Sequence, residues 1–158
     1  SSGFHSNGFS LLRKFLADKP ELRTALLVKH LLQPTTIYYQ LPRLLETLSS
    51  PAIHAMSHIT GGGLSGNIAR MIPEGLAAFI EVKQISTPTW MKELLGSFDE
   101  HIMNFESVFN LGIGMVLSVE KNSTKEFETM CQEQGLNPSW LGEVRQEKSG
   151  EETVKFCA

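Results

Sequence analysis

The chain has 158 residues, 41% hydrophobic and 20% charged, the make-up of one globular domain. At that length roughly two thirds of the unfolded chain's surface can be buried, so no disulfide or metal staple is needed. Cys131 and Cys157, far apart and outside any C-x-x-C pair, read as reduced thiols of a cytosolic protein. A net charge of −3 without any cluster of Lys and Arg argues against a nucleic-acid or membrane-surface role, and no apolar run is long enough to span a bilayer.

Residues 1–10 form a small, polar, glycine-punctuated stretch, a loop that reads as cut from something longer. Apolar spacing predicts helices over 11–16 and 21–32, parted by Asp18-Lys19-Pro20, with Pro34 ending the second. Residues 35–48 read as a helix, although Pro42 argues against an unbroken one from Tyr38. Residues 53–60 read as a strand that runs through Gly61-Gly62-Gly63 into a helix marked by Leu64, Ile68 and Met71. Beyond it, 76–82 is strand-like, 90–95 and 102–109 are helical, 113–119 is a buried strand, 125–134 a charged amphipathic helix and 140–145 a final strand. Residues 146–152 read as a solvated tail, with Cys157 in its polar end. The order predicts an α+β domain with helices packed on a mixed β-sheet.

The strongest chemical signal is His58-Ile59-Thr60-Gly61-Gly62-Gly63-Leu64 entering a helix. Three glycines leave a strand-to-helix turn without Cβ atoms, so backbone N–H groups can approach a phosphate; the same letters describe a tight turn that needs positive φ. Asn67 and Arg70, three residues apart on the new helix, face one anion or are ordinary surface residues. It is not a Walker A loop, because no Gly-Lys-Ser/Thr follows. His54 and His58 are four apart, which on a strand separates them by about 13 Å, beyond one metal ion; no metal site is expected. In the opening loop His5, Ser6 and Asn7 offer an imidazole, a hydroxyl and an amide between Gly3 and Gly8, suited to a phosphate or ribose and equally to a solvated loop. Such a loop has little apolar contact to lose, so Asn7 is expected to contribute little to stability. Asn110-Leu111-Gly112-Ile113-Gly114 is weaker, its glycines marking close backbone approach. Only two aspartates occur, Asp18 and Asp99, neither beside a glycine loop, so carboxylates for a nucleotide's magnesium are lacking.

Taken in order, the opening Ser-Ser-Gly-Phe-His-Ser-Asn-Gly-Phe-Ser-Leu-Leu-Arg, Pro34-Thr35-Thr36-Ile37-Tyr38, the His58 to Leu64 motif, Asn67-Ile68-Ala69-Arg70-Met71-Ile72-Pro73-Glu74-Gly75 and the Asn110 to Met115 motif resemble the C-terminal half of the aminoimidazole ribonucleotide synthetase family. The match runs from Ser1 to about Val119, and Gly142-Glu143-Val144 extends it. His58 separates the chain from related kinases and synthetases, which tend to carry aspartate there. Thr36 stands where the family usually has arginine, which puts an anion contact there in doubt, and Ala69 replaces a common proline.

The resemblance implies that residues 1–158 are a single C-terminal, substrate- and phosphate-side domain, and that an N-terminal domain outside this chain holds the acidic metal ligands, much of the ATP site and the main homodimer contact. It implies a cytoplasmic ATP- and Mg2+-dependent ligase of purine biosynthesis that closes the imidazole ring of formylglycinamidine ribonucleotide, the isolated fragment being inactive. The expected phosphate- or substrate-binding residues are His5, Ser6, Asn7, Thr60, Gly61, Gly62 and Gly63, with His58, Asn67 and Arg70 supporting the loop. The competing readings are another ATP-dependent synthetase or kinase of the same superfamily and a non-catalytic phosphate-binding or assembly module.

Overall fold

A computed structural model describes residues 3–5, 7–47, 53–98, 105–147 and 152–158. Helix α1, Phe9–Asp18, starts after Gly8 at φ 66° and stops where Pro20 removes an N–H donor. A 3-10 turn, Pro20–Leu22, follows, and α2, Ala25–Leu31, is capped by the Thr24 side chain accepting from Leu27 N–H at 3.1 Å. The helix expected over 35–48 is shorter. Residues 33–38 are irregular and α3 spans Leu41–Thr47, because Pro42 is tolerated in a first helical turn and nowhere deeper; Leu48 lies outside the described residues.

Strand β1, Ile53–His58, pairs antiparallel with β3, Met115–Val119. Between them run α4 (Gly63–Ala69), β2 (Leu76–Glu81), α5 (Thr89–Leu95) and α6 (Phe105–Val108); after them come α7 (Thr124–Glu133), β4 (Gly142–Gln146) and β5 (Val154–Cys157). The second sheet is mixed, in the order β4-β2-β5, with β4 antiparallel and β5 parallel to β2. The α+β class is as expected, with the β1–β3 pair as a separate antiparallel ribbon. Two expectations near the chain end are corrected. The strand over 140–145 is not the last, and Cys157 lies in β5, whose Val154 is buried against β2 while Lys155 pairs with Glu147 at 2.6 Å. An alternation of only four residues is too short to stand out from a polar tail.

Three apolar clusters hold these elements. Ile59, Leu64, Ile68, Ile80 and Val116 join β1, α4, β2 and β3. Leu41, Leu44, Phe127 and Cys131 lock α3 to α7. Phe4, Leu12, Met91, Phe98 and Phe109 bind the opening segment to α5 and the end of α6. Phe4 and Phe109 are fully buried, with ring centroids 5.0 Å apart. Each such side chain stabilises by about 1.5–3 kcal/mol, so the opening segment is part of the core and not a loose leader.

Candidate functional site

The turn after β1 divides its three glycines between two jobs. Gly62 and Gly63 have φ of 99° and 66°, a region only glycine enters without strain. A Cβ on Gly63 would lie 2.5 Å from both the Glu106 carbonyl oxygen and the Ser107 carbonyl carbon, so this glycine exists to let α4 press on α6. Gly61 would meet nothing within 4 Å, and the nearest atom to a Gly62 Cβ is Arg70 Nη2 at 3.8 Å. The open flank of the turn is therefore Gly61 and Gly62, and Gly63 is packing.

Asn67, expected on a helix surface, is buried and grips the turn from within. Its Nδ2 donates to the carbonyls of Thr60 (3.1 Å), Gly61 (3.3 Å) and Gly63 (2.6 Å). Its Oδ1 accepts from Thr60 Oγ1 and from Arg70 Nη1, both at 3.3 Å. The i, i+3 spacing on α4 is what brings Arg70 back over the turn; Arg70 is exposed, and so are Thr60, Gly61 and Gly62.

The opening loop is built as tightly. Asn7 N–H donates to the Phe4 carbonyl at 2.9 Å, and a Cβ on Gly8 would run into Phe109 Cε1, so any side chain would collide. Asn7 is not the solvated residue expected from its loop: it is 1% exposed, and neither Nδ2 nor Oδ1 has a hydrogen-bond partner. His5 is held at φ 48°, half-buried. Burial, first, and the nearby His58 imidazole among the smaller causes push its pKa below the ordinary 6.5, so at neutral pH it is an uncharged donor–acceptor rather than a cation. Ser6 lies outside the described residues.

Helix α6 brings the two loops together. Gly63 meets its backbone, Gly8 meets Val108 and Phe109, and Leu64 N–H donates to the Phe109 carbonyl at 3.1 Å. On the other side His58, exposed at the end of β1, meets the Tyr38 ring edge-on at 6.2 Å. Burial raises the Tyr38 pKa, opposed by a hydrogen bond from Thr36, the residue at the usual arginine position. The segments carrying His5 and Tyr38, far apart in sequence, thus adjoin His58 and the glycine turn that follows it.

Sequence reasoning missed Asn110. Fully buried, its Nδ2 donates to the carbonyls of Gly3 (2.8 Å) and Phe4 (3.2 Å), and its Oδ1 accepts from Gly112 N–H at 3.0 Å. The signal was an Asn two residues before a glycine, which marks a side chain bonded to its own backbone; its second partner, across the fold, left no trace. Close approach at Gly112 is as expected, since a Cβ there would lie 2.5 Å from Pro88 Cδ. His54, on the exposed face of β1, pairs with Glu120 at 3.2 Å. Among the described residues no three His, Cys, Asp or Glu side chains gather as a metal site.

The chain is an α+β domain in which two glycine-bearing loops meet at one short helix, one of them holding a buried amide without a partner. Residues 1–155 match the family described as "AIR synthase related protein, C-terminal domain", and the chain belongs to that family. It is 38% identical over 159 residues to the phosphoribosylformylglycinamidine cyclo-ligase of Bacillus cereus (strain G9842), covering 92% of this chain and 44% of the relative. It is 39% identical over 156 residues to the enzymes of the same name from Bacillus mycoides (strain KBAB4) and Bacillus thuringiensis (strain Al Hakam), with the same coverage. The chain therefore spans less than half the length of the curated relatives it matches.

Proposed function

We propose that this chain is the substrate-side, C-terminal domain of a cytoplasmic phosphoribosylformylglycinamidine cyclo-ligase, working with an N-terminal domain of the same enzyme in a homodimer. ATP, when bound, supplies the phosphoryl group that turns the amide oxygen of formylglycinamidine ribonucleotide into a leaving group, and ring closure by a substrate nitrogen yields aminoimidazole ribonucleotide, ADP and phosphate. The residues of this chain bind and orient. Gly61 and Gly62 offer open backbone to a phosphoryl group, Asn7 offers an amide able to donate and accept, and uncharged His5 offers a hydrogen bond beside it. In this reading the ligands of the Mg2+ ion that accompanies ATP are supplied mainly by the N-terminal domain.

The observation that carries the reading is Asn7. A buried amide with no partner costs about 1–3 kcal/mol, and a loop that shares α6 with the glycine turn is where a ligand would satisfy it. The test is an assay of the full-length protein with formylglycinamidine ribonucleotide and ATP. ADP release in step with imidazole formation is expected; no substrate-dependent ADP release overturns the assignment.

A further inference from the structure

Among the described residues other than glycine, two hold a left-handed backbone, His5 at φ 48° and Leu111 at φ 51°. That conformation is costly for a side chain, leucine above all, and it persists where surrounding contacts over-determine it. Each residue lies in its own turn. Asn7 N–H donates to the Phe4 carbonyl at 2.9 Å and closes one over His5; Ile113 N–H donates to the Asn110 carbonyl at 2.9 Å and closes the other over Leu111.

One buried side chain joins the two turns. Asn110 Oδ1 accepts from Gly112 N–H at 3.0 Å within its own turn, and Nδ2 donates to the carbonyls of Gly3 at 2.8 Å and Phe4 at 3.2 Å in the other. The Phe4 carbonyl thus accepts from both Asn110 Nδ2 and Asn7 N–H, so a single oxygen stands between the two asparagines. The Leu111 turn is itself firmly seated. Leu111 packs against both the Ile59 and the Phe4 clusters, and a Cβ on Gly112 would lie 2.5 Å from Pro88 Cδ. The bonds of Asn110 therefore run from a fixed turn to the one that carries His5 and Asn7. In that loop the buried Asn7 amide has no protein partner at either end. An amide left so is stabilised by any movement that brings it to water, and keeping it in place takes a restraint that opposes the movement.

We propose that Asn110 is the positioning residue of the opening loop: through the Phe4 carbonyl it holds the His5 turn in its left-handed form and keeps the unpaired Asn7 amide in place for substrate. That a substrate receives the amide rests on the cyclo-ligase reading; the restraint does not.

The experiment uses full-length protein and Asn110→Asp, which keeps an acceptor for Gly112 N–H and replaces the donor. While ionised, the carboxylate faces two carbonyl oxygens, the loop is released, and kcat/KM falls by about ten- to a hundredfold, the scale of a misplaced binding group. Burial among carbonyls raises the pKa of that carboxyl, and once protonated its O–H donates where the amide did. The ratio of variant to wild-type kcat/KM therefore climbs as pH is lowered through that pKa, which a general loss of stability would not produce. Asn110→Ala, without a donor at any pH, shows the loss with a flat ratio and adds little to Asn7→Ala, since both act along one path. Wild-type kcat/KM per folded molecule in both Asn110 variants, or a flat ratio for a folded Asn110→Asp, overturns the proposal. Hydrogen exchange reads the restraint without turnover and serves also if Asn110→Asp does not fold. The Asn7 N–H is expected to exchange at least about tenfold faster in Asn110→Ala, relative to the amides of α7; an unchanged relative rate overturns the proposal. Faster exchange in a protein whose wild type shows no substrate-dependent ADP release overturns the cyclo-ligase reading and upholds the restraint.

Discussion

At Asn7 two physical requirements conflict. The residue is as buried as Phe4, three positions earlier, yet both ends of its amide are unpaired. Leucine is close to isosteric with asparagine and has nothing to leave unsatisfied. Asn7→Leu is therefore expected to stabilise the protein by about 1–2 kcal/mol, the desolvation cost removed, while raising KM in the full-length enzyme. Denaturant unfolding and steady-state kinetics on the same variant check both halves; a stability loss would mean that the amide has a structural partner after all. The expectation of a neutral, solvated Asn7 came from its polar neighbours. What reversed it is the pair of nearby residues, Phe4 in the core and Gly8 packed close against Phe109, which draw the loop inward.

Among elements, α6 is the smallest helix and holds the site together. Its backbone fills the space that Gly63 leaves, and the residue after it, Phe109, anchors Gly8 and Leu64. Asn110 then ties the opening loop to this junction with two bonds and holds its own turn with a third. Asn110→Ala removes the bonds to the Gly3 and Phe4 carbonyls and leaves the buried Gly112 N–H without its Asn110 acceptor, and about 1–3 kcal/mol of stability is expected to go with them. Trp90, edge-on to Phe4 at 5.6 Å, reports the same event: its fluorescence should shift before the main unfolding transition if the loop detaches first. A midpoint within about 0.5 kcal/mol of wild type would reduce Asn110 to a local turn residue.

At the level of the whole molecule, the three apolar clusters together span helices from α1 to α7 and both sheets, enough for cooperative folding of the chain by itself. The purified 158-residue chain is expected to unfold in a single thermal transition yet to release no ADP in response to formylglycinamidine ribonucleotide, because the proposed function assigns the metal ligands to an N-terminal domain. Turnover by the chain alone would show that it carries a complete site.

The amino-acid sequence by itself determined the elements whose signals are local. Pro20 and Pro42 set helix starts, the glycines set the end of β1 and the start of α4, and short apolar, β-branched runs marked β2 and β3. It also pointed to the opening loop and the glycine turn as the places to look. Only the tertiary structure decided which glycine is for packing, that β5 completes the mixed sheet, and what Asn7, Asn67 and Asn110 do. Asn110 shows the reason: its amide bonds carbonyls 106 and 107 residues away. An asparagine reads the same whether it faces water, a turn or an empty place in the core, and only the partners that the fold brings to it distinguish the three.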